Sequence, residues 1–127
     1  MPQESASGAF RKSSSPLYPD LMRFVIFVID TTSNSGNADE MLQIDKFNDS
    51  LVKRGALIQA VGIASPDHAV MIDNRFEQTV QELTSLNSSP YYSGFWLVKA
   101  ETHDDALDMA NAASLACNRV VELRPLL

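Results

Sequence analysis

The chain has 127 residues, enough for one domain of ordinary size and too few for two. Apolar residues make up 45% and charged residues 20%, the range of globular domains, which argues against a disordered or fibrous class. The formal net charge of −6 repels phosphate backbones and argues against nucleic acid as a partner.

Residues 1–21 are rich in Ser and Pro and show no periodicity. They read as a flexible N-terminal tail, with the folded domain expected over residues 22–127 and Met22 standing at the boundary as a possible alternative start. Leu17, Tyr18 and Leu21 leave open a tail that docks. Residues 24–29 (FVIFVI) are six apolar residues in a row, mostly β-branched or aromatic, and predict a buried strand within 22–30. A polar loop with Gly36 follows. Residues 38–54 then read as a helix, with Ile44, Phe47 and Leu51 on one face and Asp45 and Asp49 opposite. Lys53 and Arg54 suit the negative end of the helix dipole, and Gly55 ends the helix.

Residues 57–64 (LIQAVGIA) predict a second strand, Ser65-Pro66-Asp67 a turn, and residues 69–73 (AVMID) a short third strand, so this pair is expected to form a hairpin. Residues 74–90 are ambiguous: Phe76, Val80 and Leu83 have helical spacing, whereas Thr79 and Val80 also suit a strand. Residues 94–100 (GFWLVKA) predict a strand. Thr102 caps a helix over 102–116, with Asp105 at the capping-box position and a packing face of Ala106, Met109, Ala110 and Ala113. That face is small, so the helix is expected to lie close to the sheet. Residues 119–125 (RVVELRP) predict the last strand.

The order β-α-β-β-loop-β-α-β predicts an α+β domain, a ferredoxin-like sandwich with one extra strand, both helices on one face of an antiparallel sheet. The first strand and the strand before the second helix then lie at the centre. Both are apolar on both faces, yet two helices cover only one. A homodimer packed sheet against sheet is therefore expected, with cover by the tail or by residues 74–92 as the rival.

Several segments resemble one family. Phe47-Asn48, Leu51 and Gly55 (FNDSLVKRG) look like the F-N-x-x-L-x-x-x-G helix end of YCII-related proteins, in particular their D-G-P-F subgroup. Gly62-Ile63 with Pro66 is similar to that subgroup's G-L-x-P turn, and residues 93–98 (SGFWLV) to its G-G-Y-W-L-I strand. Residues 104–107 (DDAL) look like its D-E-A-L helix start, and residues 121–125 (VELRP) like its V-E-V-R-P ending. The resemblance spans residues 22–127 and implies a dimeric ferredoxin-like fold, a dimeric α/β barrel, with a cleft beside the sheet. Some members of the wider family are lyase-like enzymes acting on small aromatic or chlorinated compounds through a His/Asp pair. This chain departs from them where that chemistry would sit. Counting back from Gly94, the D-G-P-F motif falls on Glu82-Leu83-Thr84-Ser85, and only an acid is retained. Counting back from Gly55, the family histidine falls near Ile44.

The candidate chemistry is sparse. His68, beside the Pro66-Asp67 turn, has the residue type of a general base, with Asp67, Asp73 or Glu82 to orient it, or else is a surface turn histidine. His68 and Glu82 are thus the catalytic candidates, and His103 reads as exposed. Tyr91, Tyr92, Phe95 and Trp96 form an aromatic cluster that lines a pocket or fills the core, Tyr91 and Tyr92 being the better ligand contacts. Arg124 binds a ligand carboxylate or pairs with Glu122 on the same face of its strand. No cofactor or metal motif is present; Asp45 and Asp49 read as a solvated face. The single cysteine, Cys117, cannot form an internal disulfide and reads as a buried hydrophobe. One thiol fits a reducing compartment, no apolar run approaches the roughly 18 residues of a membrane span, and the N-terminus lacks the apolar core of a signal peptide. A cytoplasmic protein with no membrane partner is the expectation. The leading functional expectation is a dimer that binds a small organic molecule at a cleft formed by residues 74–92. A non-catalytic interaction or regulatory module, and then a residual lyase, are the alternatives.

Overall fold

The computed structural model describes residues 21–31, 37–75 and 89–127, and residues 80–82 by their backbone. The expected features at residues 1–20, at Phe76 and at Leu83–Ser85 lie outside the described residues.

The elements are β1 (Met22–Asp30), α1 (Ala38–Lys53), β2 (Leu57–Gly62), a 3-10 turn (Pro66–His68), β3 (Met71–Asp73), β4 (Val80–Glu82), β5 (Tyr91–Ala100), α2 (His103–Cys117) and β6 (Val120–Pro125). The four long strands form one antiparallel sheet in the order β2-β5-β1-β6. This α+β arrangement, with two helices, is compatible with a ferredoxin-like fold, and it puts the two runs of least alternation at the centre as expected.

Local chemistry explains where the helices begin and end. Asn37 caps α1, its side chain accepting from the Glu40 amide at 2.9 Å. At the other end Gly55 adopts φ +70°, the Gly55 amide donates to the Val52 carbonyl and the Ala56 amide to the Leu51 carbonyl, both at 2.9 Å. That pair of bonds is a Schellman closure, which needs a left-handed residue and so favours glycine. Thr102 caps α2 by accepting from the Asp105 amide at 3.0 Å, as its sequence position predicts.

Strand alternation sorts the sheet into two faces. Ile26 opposite Trp96 and Phe24 opposite Val98 point toward the helices and are buried. They meet Phe47 and Leu51 of α1 and Ala106, Met109 and Ala113 of α2 in one core. The registered pairs Val25–Leu97 and Phe27–Phe95 face the other way and are only partly buried.

The expected hairpin of the second and third strands is not formed. β3 pairs with β4 in a separate two-stranded sheet, and β2 pairs with β5. The cause lies in residues 65–69. The His68 amide donates to the Ser65 carbonyl at 3.0 Å and the Ala69 amide to the Pro66 carbonyl at 2.9 Å, so the chain winds through a helical turn instead of folding straight back. Of the two readings of residues 74–90, residues 80–82 take the strand.

Candidate ligand cleft

Residues 41, 44, 45 and 48 follow helical spacing, so Met41, Ile44, Asp45 and Asn48 form one stripe of α1 beside its core stripe. The stripe faces Val28 and Asp30 of β1 and Trp96 of β5, and the space between them is a cleft of about 470 Å³. Asp45 is exposed, as its sequence position predicts, and it stands at the rim of this cleft. Ile44, where the family resemblance would place a histidine, is part of the wall.

Trp96 is buried against this wall. Its indole Nε1 donates to Asn48 Oδ1 at 2.6 Å, and its ring meets Phe47 edge to face at 5.1 Å between centroids. A buried indole N–H needs an acceptor, and Asn48 supplies it one turn from Ile44. The floor beneath is Gly94, where a side-chain Cβ would lie 2.6 Å from the Val61 carbonyl oxygen of β2. Only glycine lets the two strands approach this closely.

One end of the cleft is an ionic cluster. Arg119 Nε lies 3.2 Å from Asp30 Oδ2 and Arg119 Nη1 lies 3.3 Å from Glu40 Oε1. Arg119 Nη1 also donates to the Cys117 carbonyl at 2.6 Å, and Asn118 Nδ2 to Glu40 Oε2 at 3.3 Å. The three charged side chains are only 10–15% exposed. The Asn118 amide and then the Arg119 guanidinium hold the Glu40 carboxyl below its usual range. The Cys117 thiol lies 3.9 Å from the Ser114 carbonyl, and burial pushes its pKa up, so it stays a thiol and fills space.

A second cavity of about 510 Å³ lies at the Asp30 end of the sheet. It brings Tyr91 and Tyr92 together with Pro66, Pro90 and Glu122. The Tyr92 hydroxyl donates to Glu122 Oε1 at 2.8 Å and accepts from Arg124 Nη2 at 3.1 Å, and Arg124 also forms an ion pair with Glu122. Pairing with Glu122, one of the two roles expected of Arg124, is thus present. The Tyr92 ring stacks on Phe27 at 4.3 Å, and the Arg124 guanidinium sits 5.3 Å from the Phe27 centroid. The Glu122 carboxylate beside it raises the Tyr92 hydroxyl's pKa, and Arg124 and then Tyr92 lower that of Glu122.

The remaining sequence candidates are scattered. His68 ends the turn whose Pro66 lines the second cavity; it is exposed and its imidazole makes no hydrogen bond among the described residues. Glu82 lies in β4, and its side chain is outside the described residues. His103 is exposed and meets Phe24 edge-on at 5.8 Å. Sequence reasoning missed the Asp30–Arg119–Glu40 cluster and the Asn48–Trp96 pair. The available signal was a charge at one end of each apolar strand, Asp30 closing β1 and Arg119 just before β6, but nothing local says that they meet.

Among the described residues no three His, Cys, Asp or Glu side chains are grouped to hold a metal ion, and no helix is long and apolar enough to cross a membrane. No protein-family model matches the chain, and no curated protein is significantly similar to it.

Proposed function

We propose that this chain is a small-molecule-binding domain of the YCII-like kind, acting as a two-fold dimer, with its ligand in the cleft between α1 and the sheet. The supporting observation is that this cleft pairs an apolar wall, Val28, Ile44 and Trp96, with fixed polar groups at Asn48 and at the Asp30–Arg119–Glu40 cluster. Sites for small molecules combine apolar area with a few oriented polar groups in this way, in volumes of about 300–1,000 Å³. Among the described residues no histidine lines the cleft, its cysteine is a protonated, buried thiol, and Ile44 falls near the position where the family it resembles carries a histidine. Binding without turnover is therefore the reading it supports best.

Trp96 is the only tryptophan in the chain, so its fluorescence reports this cleft alone. Native mass spectrometry of the purified protein should find a co-purifying small molecule, and adding that compound back should change Trp96 emission saturably. A compound whose binding leaves Trp96 emission unchanged but shifts Tyr91 and Tyr92 resonances would move the site to the second cavity and defeat this reading.

An interaction module is favoured by a different observation, the partly buried outer sheet face carrying Phe27, Phe95 and Leu97. In the proposed dimer this face is the subunit contact, so the two readings use opposite faces of the sheet.

A further inference from the structure

The charges around the cleft between α1 and the sheet are unbalanced. Among the described residues, the charged side chains that line it are three carboxylates, Asp30, Glu40 and Asp45, and one guanidinium, Arg119. Arg119 is shared between Asp30 and Glu40, so even the buried cluster carries an excess negative charge. Asp45 adds a second and makes no ion pair or hydrogen bond among the described residues. One turn further along α1, Asn48 has committed its carbonyl oxygen to Trp96, which leaves its amide NH2 as a donor. Between these groups the wall is apolar, with Met41, Ile44 and Val28.

An anion entering here would lose its hydration and face net negative charge, with Arg119 already engaged on both sides. A cation would exchange water for the free Asp45 carboxylate while its apolar body lies along α1. We infer that the cleft selects organic ammonium compounds: small amines with an apolar or aromatic body, the ammonium group set against Asp45 and the excess charge of the cluster. This inference rests on the cleft being the ligand site and adds the charge of the ligand.

The experiment compares three probes of matched shape: phenethylamine, 2-phenylethanol and 3-phenylpropanoate. Each is titrated into the full chain while Trp96 emission and amide shifts in a nitrogen-15 correlation spectrum are followed. The amine should bind most tightly, with shifts centred on residues 41–48 and 94–96. Asp45→Asn, an exposed change that leaves the core untouched, should weaken the amine about fivefold and leave the alcohol unaffected, as loss of one partly solvated charge pair would. Raising the salt should weaken the amine alone. If 3-phenylpropanoate binds as well as the amine, or Asp45→Asn weakens amine and alcohol equally, the charge inference falls while the cleft stands. Amine shifts confined to Tyr91, Tyr92 and Glu122 also overturn it. If no probe of any charge saturates, the cleft reading falls with it.

Discussion

Gly94 and Glu40 show how single residues hold this cleft in shape. At Gly94 β5 runs close against β2, and an added Cβ would meet the Val61 carbonyl oxygen at 2.6 Å. A backbone oxygen cannot rotate away, so Gly94→Ala must separate the strands or bend β5. A stability loss of about 1–3 kcal/mol is expected, read as a lower urea midpoint with unchanged slope. Glu40 acts through charge. Its carboxyl is held below the usual range by Asn118 and Arg119, so it binds fewer protons folded than unfolded near the unfolded pKa. Its contribution is present above about pH 4.3 and is lost as pH falls through the lower folded value. Wild-type stability should therefore decline below about pH 4.3, and Glu40→Gln should flatten that decline while lowering stability at pH 7. A Glu40→Gln profile parallel to wild type would show that other lowered carboxyls, Asp73 and Glu122, carry the acid sensitivity instead. Neither effect is legible locally: Gly94 looks like any strand glycine, and the Glu40–Arg119 contact spans 79 positions of chain.

Among the elements, those with one dominant periodicity were readable and those shaped by tertiary pairing were not. The apolar runs of β1 and β5 specify central strands, because a run without alternation puts apolar side chains on both faces, which suits the middle of a sheet and not its exposed edge. The capping signals at Thr102 and Gly55 fix one end of α2 and one end of α1. β3, by contrast, has only three residues, too few to choose a partner by pattern, and the 3-10 turn before it decides against β2. Asp45 shows the same limit in the site: its helical position predicts exposure correctly, but the cleft beside it exists only once the sheet is placed. The alanine-rich face of α2 is a readable feature with a measurable consequence. Ala106 and Ala113 are fully buried and let α2 lie close to the sheet. Ala113→Leu would force side-chain volume into a filled layer and should cost about 1–3 kcal/mol, lowering the melting temperature by several degrees. Ala112→Leu, on the exposed side of the same helix, is the control and should leave the melting temperature within about one or two degrees.

For the whole molecule, the second face of the sheet governs the proposed assembly. The helices cover the face carrying Phe24, Ile26, Trp96 and Val98, all at most 4% exposed. The opposite face places Val25 against Leu97 and Phe27 against Phe95 at the centre, with Val61 of β2 alongside, and none of these is fully buried. Its edge is polar, closed by the Tyr92–Glu122–Arg124 cluster that packs on Phe27. An apolar centre within a polar rim is the composition of a subunit interface. A two-fold contact would set each Phe27 near its counterpart's strands and bury area that a single copy leaves to water. Sedimentation equilibrium at micromolar concentration should accordingly give twice the chain mass. Phe27→Glu puts a charge at the centre of that face, where a dimer would have to desolvate two of them, so the variant should sediment as a monomer. Phe27 lies outside the helix-side core, so circular dichroism should show its helices intact. A wild-type chain that sediments as a monomer, or a Phe27→Glu chain that stays dimeric, would assign this face to something other than a second copy. The amine selectivity of the cleft would be unaffected, because it depends on the opposite side of the same strands.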